Sequence, residues 1–528
     1  MPTITTKISL PTFKKSLPFS VDYVSISEAF DRHHTFELTA TLALNKELSN
    51  KEVKDILGEY ITIEISESKT VKHTFKGITD SLVLFQQGDS RMIRIEGYSP
   101  TILLDSAPVF RAFTEKPVKQ IAEHILQNYK SASVSFPNVS YQGTQKADFS
   151  MQTQETDYQY LCRLADRFES NFYYDGEQFH FCPIKDAESD LIELTINKNL
   201  HHFRAAVNLS PVKFSVSGYN LLSNKNETES YNLPKKGNAL MQSAIHKSKV
   251  YPTAEISVNH LIEDKNDLQT AAYQLATQQT NSMVTITGGS DVPSIKVGSI
   301  LDIKGGGKSI PGFDKQENFR VTQVVHSVSN SGQTYSNSFS AIPEDHDCPV
   351  NMSGAQSKIS APLNAEVVDT ADPENYGRIK VKFLADVEQS SSPWLRVLTP
   401  FSSENGYFFM PEVGEKVVVF FEDFNPEKSA FVMGSFFTKD KNAAHWQDAD
   451  NRKKGISTGD ISLLFDENEG KLTLKAKSIL LQTDEGVSIE GGKEIKQKAQ
   501  NIESSAEQKN TLSGSQSVKV KGGRIDLN

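Results

Sequence analysis

Apolar and polar side chains alternate along most of this chain at the period of a β-strand. Ile61, Ile63 and Ile65 alternate with Thr62 and Glu64, and Ile93 and Ile95 with Arg94 and Glu96. Residues 1 to about 100 therefore read as strands with one buried face, with Gly77 and Gly88-Asp89 as turns. Helical spacing interrupts this pattern three times. Val118, Ile121, Ile125 and Leu126 predict a helix from Pro117 to Tyr129, with Pro117 in its first turn. Tyr158, Leu161, Leu164, Ala165 and Phe168 predict a second from Asp157 to Glu169, and an Ala- and Gln-rich run predicts a third from Lys265 to about Gln279. Between them, Asn171 to Phe181 reads as strand turning at Asp175-Gly176, and strands resume from Met283 to Ile342. Asp345 to Pro362 is small and polar and reads as a linker. Ala365 to about Phe437 has the spacing of five short strands in a Greek-key barrel.

Past a second polar stretch, Lys439 to Lys454, the alternation becomes a repeat. Ile479, Val487 and Ile495 fall eight residues apart, as do Leu472 and Leu480. Within the passes the pairs are Leu472/Leu474, Ile479/Leu481, Val487/Ile489, Val518/Val520 and Ile525/Leu527. A short fixed period of extended segments means stacked strands. About two apolar side chains per pass cannot close a core around one chain. The economical solution is several identical chains sharing one core, so Gly455 to Asn528 reads as part of an intertwined β-helical rod. At roughly seven passes of about 4.8 Å each, its regular part would be about 35 Å long. Lys475, Lys477, Glu490 and Lys496 would form its solvated face.

At 528 residues, with 37% hydrophobic and 9% aromatic positions, the chain is folded and too long for one core. Its 56 Lys and Arg against 66 Asp and Glu give a net charge of −10, which disfavours nucleic acid as a partner. Three cysteines, Cys162, Cys182 and Cys348, lack metal-like spacing and read as reduced thiols. No signal peptide and no apolar run long enough to span a membrane is visible.

Candidate chemistry is sparse. Gly305-Gly306-Gly307-Lys308-Ser309 resembles a phosphate loop, but Asp302 stands where the first glycine is needed and Pro311-Gly312 follows, so a hairpin turn is the better reading. The pairs His33-His34 and His201-His202 point to opposite strand faces and read as surface or satisfied histidines. Asp345-His346-Asp347-Cys348 has nothing nearby to complete a zinc site. No catalytic residue, cofactor or metal is expected.

The barrel segment is more specific. Tyr376-Gly-Arg-Ile-Lys-Val-Lys-Phe383, Ser392-Pro-Trp-Leu-Arg-Val397, Gly406 to Phe421, Asn425-Pro426 and Val432-Met-Gly-Ser435 occur in order. They resemble the OB-fold domain of the VgrG spike proteins of type VI secretion and related contractile injection machines. Gly377, Arg378, Trp394, Arg396, Pro411, Gly414, Pro426 and Gly434 carry that signature. Ser99 to Leu104, Pro117 to Tyr129 and Gln154 to Leu164 are similar to the family's N-terminal hub. Gly455 to Gly459 resembles the start of its needle, and Gly522-Gly-Arg-Ile-Asp-Leu-Asn528 one of its endings.

The resemblance implies a mainly β protein with minor α. Its parts would be a hub of two barrel-like subdomains with helical inserts (1–345), a linker (346–362), an OB-fold domain (363–438), a second linker (439–454) and a trimeric β-helix needle (455–528). It implies a homotrimer whose needle core is Leu472, Leu474, Ile479, Leu481, Val487, Ile489, Ile495, Val518, Val520, Ile525 and Leu527. Implied partners are a hexameric Hcp-like tube protein, baseplate wedge proteins, effectors, and a PAAR-like tip protein on Ile525, Asp526, Leu527 and Asn528. The target membrane would be met only transiently. The protein would be made in the bacterial cytoplasm, assembled into the apparatus and expelled. Only 17 residues, Thr438 to Lys454, separate barrel from needle, too few for the lysozyme that phage relatives carry there. An extracellular injection particle or a phage hub spike stays open as the alternative. A β-helical polysaccharide-cleaving tail spike would need paired carboxylates and a longer solenoid, and exposed aromatics clustered on one face would favour a carbohydrate-binding adhesin.

Overall fold

The computed structural model describes residues 4–13, 17–30, 32–42, 49–129, 145–168, 170–177, 179–182, 190–220, 223–232, 239–258, 262, 265–280, 283–305, 318–330, 334–344, 362–402, 406–422, 430–444, 446–447 and 450–526. The chain divides into two compact units, Met1–Thr438 and Lys439–Asn528.

The first unit is organised by a 12-stranded sheet. Its N-terminal half contains β1 (Ile4–Ser9), β2 (Phe19–Ala29), β3 (Thr35–Leu42), β4 (Tyr60–Glu67), β5 (Thr70–Gln87) and β6 (Ser90–Tyr98), with helix α1 (Asn50–Ile56) after β3. The predicted alternation is realised here: Ile61, Ile63, Ile65, Ile93 and Ile95 are fully buried. Gly77 is not a turn, however. It lies inside β5, where a Cβ would come within 2.9 Å of both the Phe36 and Phe75 rings. The reversal is made instead at Ser68-Lys69, both at positive φ.

Next come β7 (Val109–Pro117), α2 (Val118–Gln127), β8 (Lys146–Glu155), α3 (Asp157–Arg167) and the hairpin β9 (Asn171–Tyr174) and β10 (Phe179–Cys182). Pro117 occupies the N-cap of α2, one position before the first turn. Helix α3 is started by a capping box, the Thr156 hydroxyl accepting from the Gln159 amide while the Gln159 side chain accepts from Thr156 N–H. These elements share one core, in which Phe113, Ile121, Leu161, Leu164 and Phe172 are fully buried.

The second half of the large sheet follows: β11 (Leu191–Thr195), β12 (Leu200–Val207), then, after an insertion, β16 (Val284–Ser290), β17 (Ile300–Lys304), β18 (Asn318–Ser329) and β19 (Thr334–Pro343). The insertion packs β13 (Lys213–Asn220), β14 (Lys225–Asn232) and β15 (Ala254–Ser257) with α4 (Ala239–Lys247) and α5 (Lys265–Thr280) between β12 and β16 in sequence. In the large sheet the order is β1-β4-β5-β6-β3-β2-β18-β19-β16-β12, with β17 pairing β18 and β11 pairing β17. Antiparallel pairing of β2 with β18, from Ala29↔Gln323 to Tyr23↔Ser329, joins the halves.

Five strands, β20 (Leu363–Asp369), β21 (Arg378–Phe383), β22 (Leu395–Val397), β23 (Lys416–Phe421) and β24 (Ala430–Ser435), close a barrel in the order β20-β21-β22-β24-β23. This barrel is not free-standing. Ala112, Phe149 and Met151 of the β7–β8 ribbon share its core with Val367, Val381 and Phe383. Asp386, 1% exposed, fixes the joint. Its Oδ1 accepts from Ala112 N at 2.9 Å and Glu388 N at 2.9 Å, and its Oδ2 from Ser390 N at 2.8 Å.

In the second unit β25 (Lys453–Thr458), β26 (Ile461–Asp466) and β27 (Lys471–Lys475) form an antiparallel meander. Trp446 packs against Gly455, where a Cβ would meet the indole at 2.4 Å. The sequence reading placed further strands beyond this point. Among residues 476–526 none is in a strand, and all but Ala476 are exposed.

The joint gives a direct test. Asp386→Ala leaves three amides without their acceptor, one of them at the shared core, and should cost about 3 kcal/mol. A lowered denaturant midpoint measures this, and Asp386→Asn, which keeps one acceptor oxygen, should recover part of it.

Candidate functional site

The signature residues of the barrel occupy its turns and strand starts. Between β20 and β21 the chain reverses through Asn375 and Gly377, both in the left-handed region at φ 60° and 70°. Asp372 organises this loop, its Oδ2 accepting from Tyr376 N at 2.9 Å and Arg378 N at 3.2 Å. Arg378 grips the same carboxylate at both oxygens, Nε to Oδ2 at 3.1 Å and Nη2 to Oδ1 at 2.8 Å, and donates to Glu374 at 2.6 Å. The Arg378 guanidinium holds the Asp372 carboxyl well below the usual carboxylate range.

Register places Arg378 opposite Arg396 on β22. The two like charges are kept apart in partnership, since Arg396 donates to Glu422 at 3.0 Å. Lys380 sits 4.9 Å over the ring of Trp394. Pro411 is buried and Gly414 turns at φ 85° into β23. Gly434 lies at the bulge where β24 shifts register against β23. Pro426 lies outside the described residues. These positions shape a framework and do not converge on a reacting centre.

The needle positions differ. Leu472, Leu474, Ile479, Leu481, Val487, Ile489, Ile495, Val518, Val520 and Ile525 are all exposed, from 52% at Ile525 to 69% at Leu481. So many exposed large apolar side chains in one stretch are more than a lone soluble surface usually carries. Asp526 pairs with Arg524 at 2.9 Å, while Leu527 and Asn528 lie outside the described residues. A second exposed apolar group, Phe401, Tyr407, Phe408 and Phe409, stands on the barrel before β23.

The remaining candidates resolve as local structure. His33 contacts Thr101 at 2.8 Å and Asp105 at 3.2 Å, and buried His34 reaches the Ala29 carbonyl at 3.1 Å. His201 lies 3.5 Å from Asp291. Cys162 is buried, and burial pushes its thiol up, away from reactivity. Residues 306–309 of the glycine-rich segment and Asp345 to Cys348 lie outside the described residues. Sequence reasoning missed Asp372, Asp386 and a buried group formed by Glu28, His73 and His326. Asp372-Pro373 before a Gly-Arg pair is a legible turn signal; the others have no local signature.

Residues 27–332 match the model of the phage tail baseplate hub (GPD) family. The chain belongs to this family. Residues 363–437 of the hub protein also match the type VI secretion system/phage-baseplate injector OB domain. In structure it is similar to the E. coli c3393 protein, described as a component of the type VI secretion system similar to T4 bacteriophage tail proteins gp27 and gp5. That likeness has 14% identity and a TM-score of 0.56, and covers 81% of this chain and 100% of that one. A chain of the lidded Francisella PdpA-VgrG complex matches with 12% identity and a TM-score of 0.55, covering 90% of this chain and 80% of the other. No curated protein matches the sequence. The hub protein is thus a baseplate hub or spike component of the phage or type VI kind, with a mainly β fold.

Arg378→Lys keeps the charge but cannot span both Asp372 oxygens and Glu374. Amide exchange at Tyr376 and Arg378 should quicken several-fold while the barrel strands keep their protection. Unchanged exchange would mean that the loop is held by other contacts.

Proposed function

We propose that this hub protein is the homotrimeric spike of a contractile injection apparatus, capping the inner tube and puncturing a target envelope while delivering effectors. One observation carries the reading: the alternating apolar side chains from Leu472 to Ile525 are exposed, and strand pairing is absent from 476–526. Three chains sharing these positions would bury the side chains and pair the backbone at once. Shared strands would also remove open sheet edges. If the two halves of the large sheet, joined at β2 and β18, act as two similar subdomains, three chains would present six of them, which would suit docking to a hexameric Hcp-like tube, with wedge proteins around it. The role is mechanical and non-enzymatic: Arg378, Asp372, Arg396 and Glu422 of the barrel are paired in framework contacts. A PAAR-like tip protein would sit on the end formed by Ile525, Asp526, Leu527 and Asn528.

Light scattering should return three times the 58.7 kDa chain mass. A monomer at micromolar concentration would overturn the reading. Val487→Lys would bring three unpaired ammonium groups to one level of the shared core and should abolish needle assembly. Deleting Val518 to Asn528 should leave a trimer that joins the tube but no longer captures the tip protein. Undiminished capture would place the tip elsewhere.

A further inference from the structure

Inside the large sheet, three buried chemistry-bearing side chains meet at one point. Glu28 comes from β2, His326 from β18 and His73 from β5. Since Ile26 pairs with His326 and Glu28 with Val324, Glu28 and His326 are diagonal neighbours on one sheet face. His73 lies on a strand separated from β2 by β6 and β3 in the sheet order. It nevertheless stacks on His326 with ring centroids 4.3 Å apart. Sheet curvature therefore brings the three strands together at this point.

All three residues are buried, at 0%, 4% and 1% exposure in the order Glu28, His73, His326. One donor atom from each lies within 4.8 Å of the other two. Glu28 Oε1, His73 Nε2 and His326 Nε2 have no hydrogen-bond partner. His73 Nε2 does lie 3.1 Å from Glu28 Oε1, an ion-pair distance, but off the direction of a hydrogen bond. Leaving three such atoms unsatisfied in one spot is costly, and pairing His73 with Glu28 would still leave His326 Nε2 unused.

We propose that Glu28, His73 and His326 form a structural binding site for a divalent transition-metal ion, zinc being the best fit. Two imidazole nitrogens and one carboxylate oxygen are three of the four donors that Zn2+ takes, leaving one position for a water. Ca2+ and Mg2+ prefer oxygen ligands throughout. The second shell agrees. His326 Nδ1 lies 2.6 Å from the Tyr335 hydroxyl, which in turn accepts from Asn337 Nδ2 at 2.9 Å. A proton held on Nδ1 facing Tyr335 leaves the Nε2 lone pair for the ion, the usual outer-shell arrangement of ligating histidines. His34, whose Nδ1 is also buried without a hydrogen-bond partner, stands close enough to act on Glu28.

The site is enclosed by the sheet, so the ion would pin β2, β5 and β18 together and take no part in turnover.

The test uses the full chain, tag-free and stripped with a chelator. Titration with Co2+ should give a saturable visible absorption at about one equivalent per chain, displaced by Zn2+. Zn2+ should also raise the melting temperature of the stripped protein. His326→Gln and Glu28→Gln should each lose the absorption, while His201→Gln, at the exposed pair, keeps it. A substitution this deep can unfold the chain, so wild-type protein carries the deciding arm. No saturable signal from folded, stripped wild type would overturn the site and leave an ion pair between His73 and Glu28. A signal lost in His201→Gln but kept in His326→Gln would overturn it too, by assigning the ion to the surface.

Discussion

Main-chain pairing between segments far apart in sequence is the constraint on which this molecule rests. Satisfying backbone N–H and C=O groups is obligatory once they are buried. In the first unit that demand is met internally, most consequentially between β2 and β18, which lie nearly three hundred residues apart. Closing a loop of that length costs about 5 kcal/mol, recovered by a seam of seven registered residue pairs and by the apolar cores on either side. Beyond Lys475 no strand pairing occurs among the described residues, and the exposed backbone is left to water. The contrast separates a unit whose strands pair internally from a stretch without strand pairing.

The OB barrel draws its rigidity from a different source. It shares a core with the β7–β8 ribbon, and Asp386 ties ribbon and barrel through backbone amides of both. Val387 N also donates to the Phe110 carbonyl at 3.3 Å, and His124 contacts Glu388 at 2.9 Å. An axial load on the barrel would therefore pass into the hub through a packed interface and oriented hydrogen bonds. Packed interiors transmit strain well because they hold few voids.

Much of this was legible locally. Period-two alternation located the strands holding Ile61 to Ile65 and Ile93 to Ile95, and helical spacing located α2, α3 and α5 within a residue or two. The five barrel strands were readable because their apolar positions and turn glycines recur at short range. Helix α1 has no helical apolar stripe, since only Ile56 is buried among its described side chains, and its local signal is the Ser49/Glu52 capping box. Gly77 was misread because its smallness answers to Phe36 and Phe75, a contact that only the folded sheet creates. The Glu28, His73 and His326 cluster was beyond reach for the same reason: no local spacing connects three residues that sheet curvature alone assembles. The same holds for Asp386, whose partner amide at Ala112 is 274 positions away.

The β2–β18 seam also orders events during biosynthesis. Strand β2 can pair with β3 as soon as Leu42 has emerged, but its other edge is completed only by a strand that begins at Asn318. At about 5–20 residues per second, the ribosome needs about 15–60 seconds to deliver that partner. Throughout the interval the eleven-residue edge of β2 stands open on the nascent chain, the kind of edge that templates wrong pairings. The N-terminal half of the hub would therefore gain from whatever shields nascent chains, and its open edge is covered only once about three-fifths of the protein has been made.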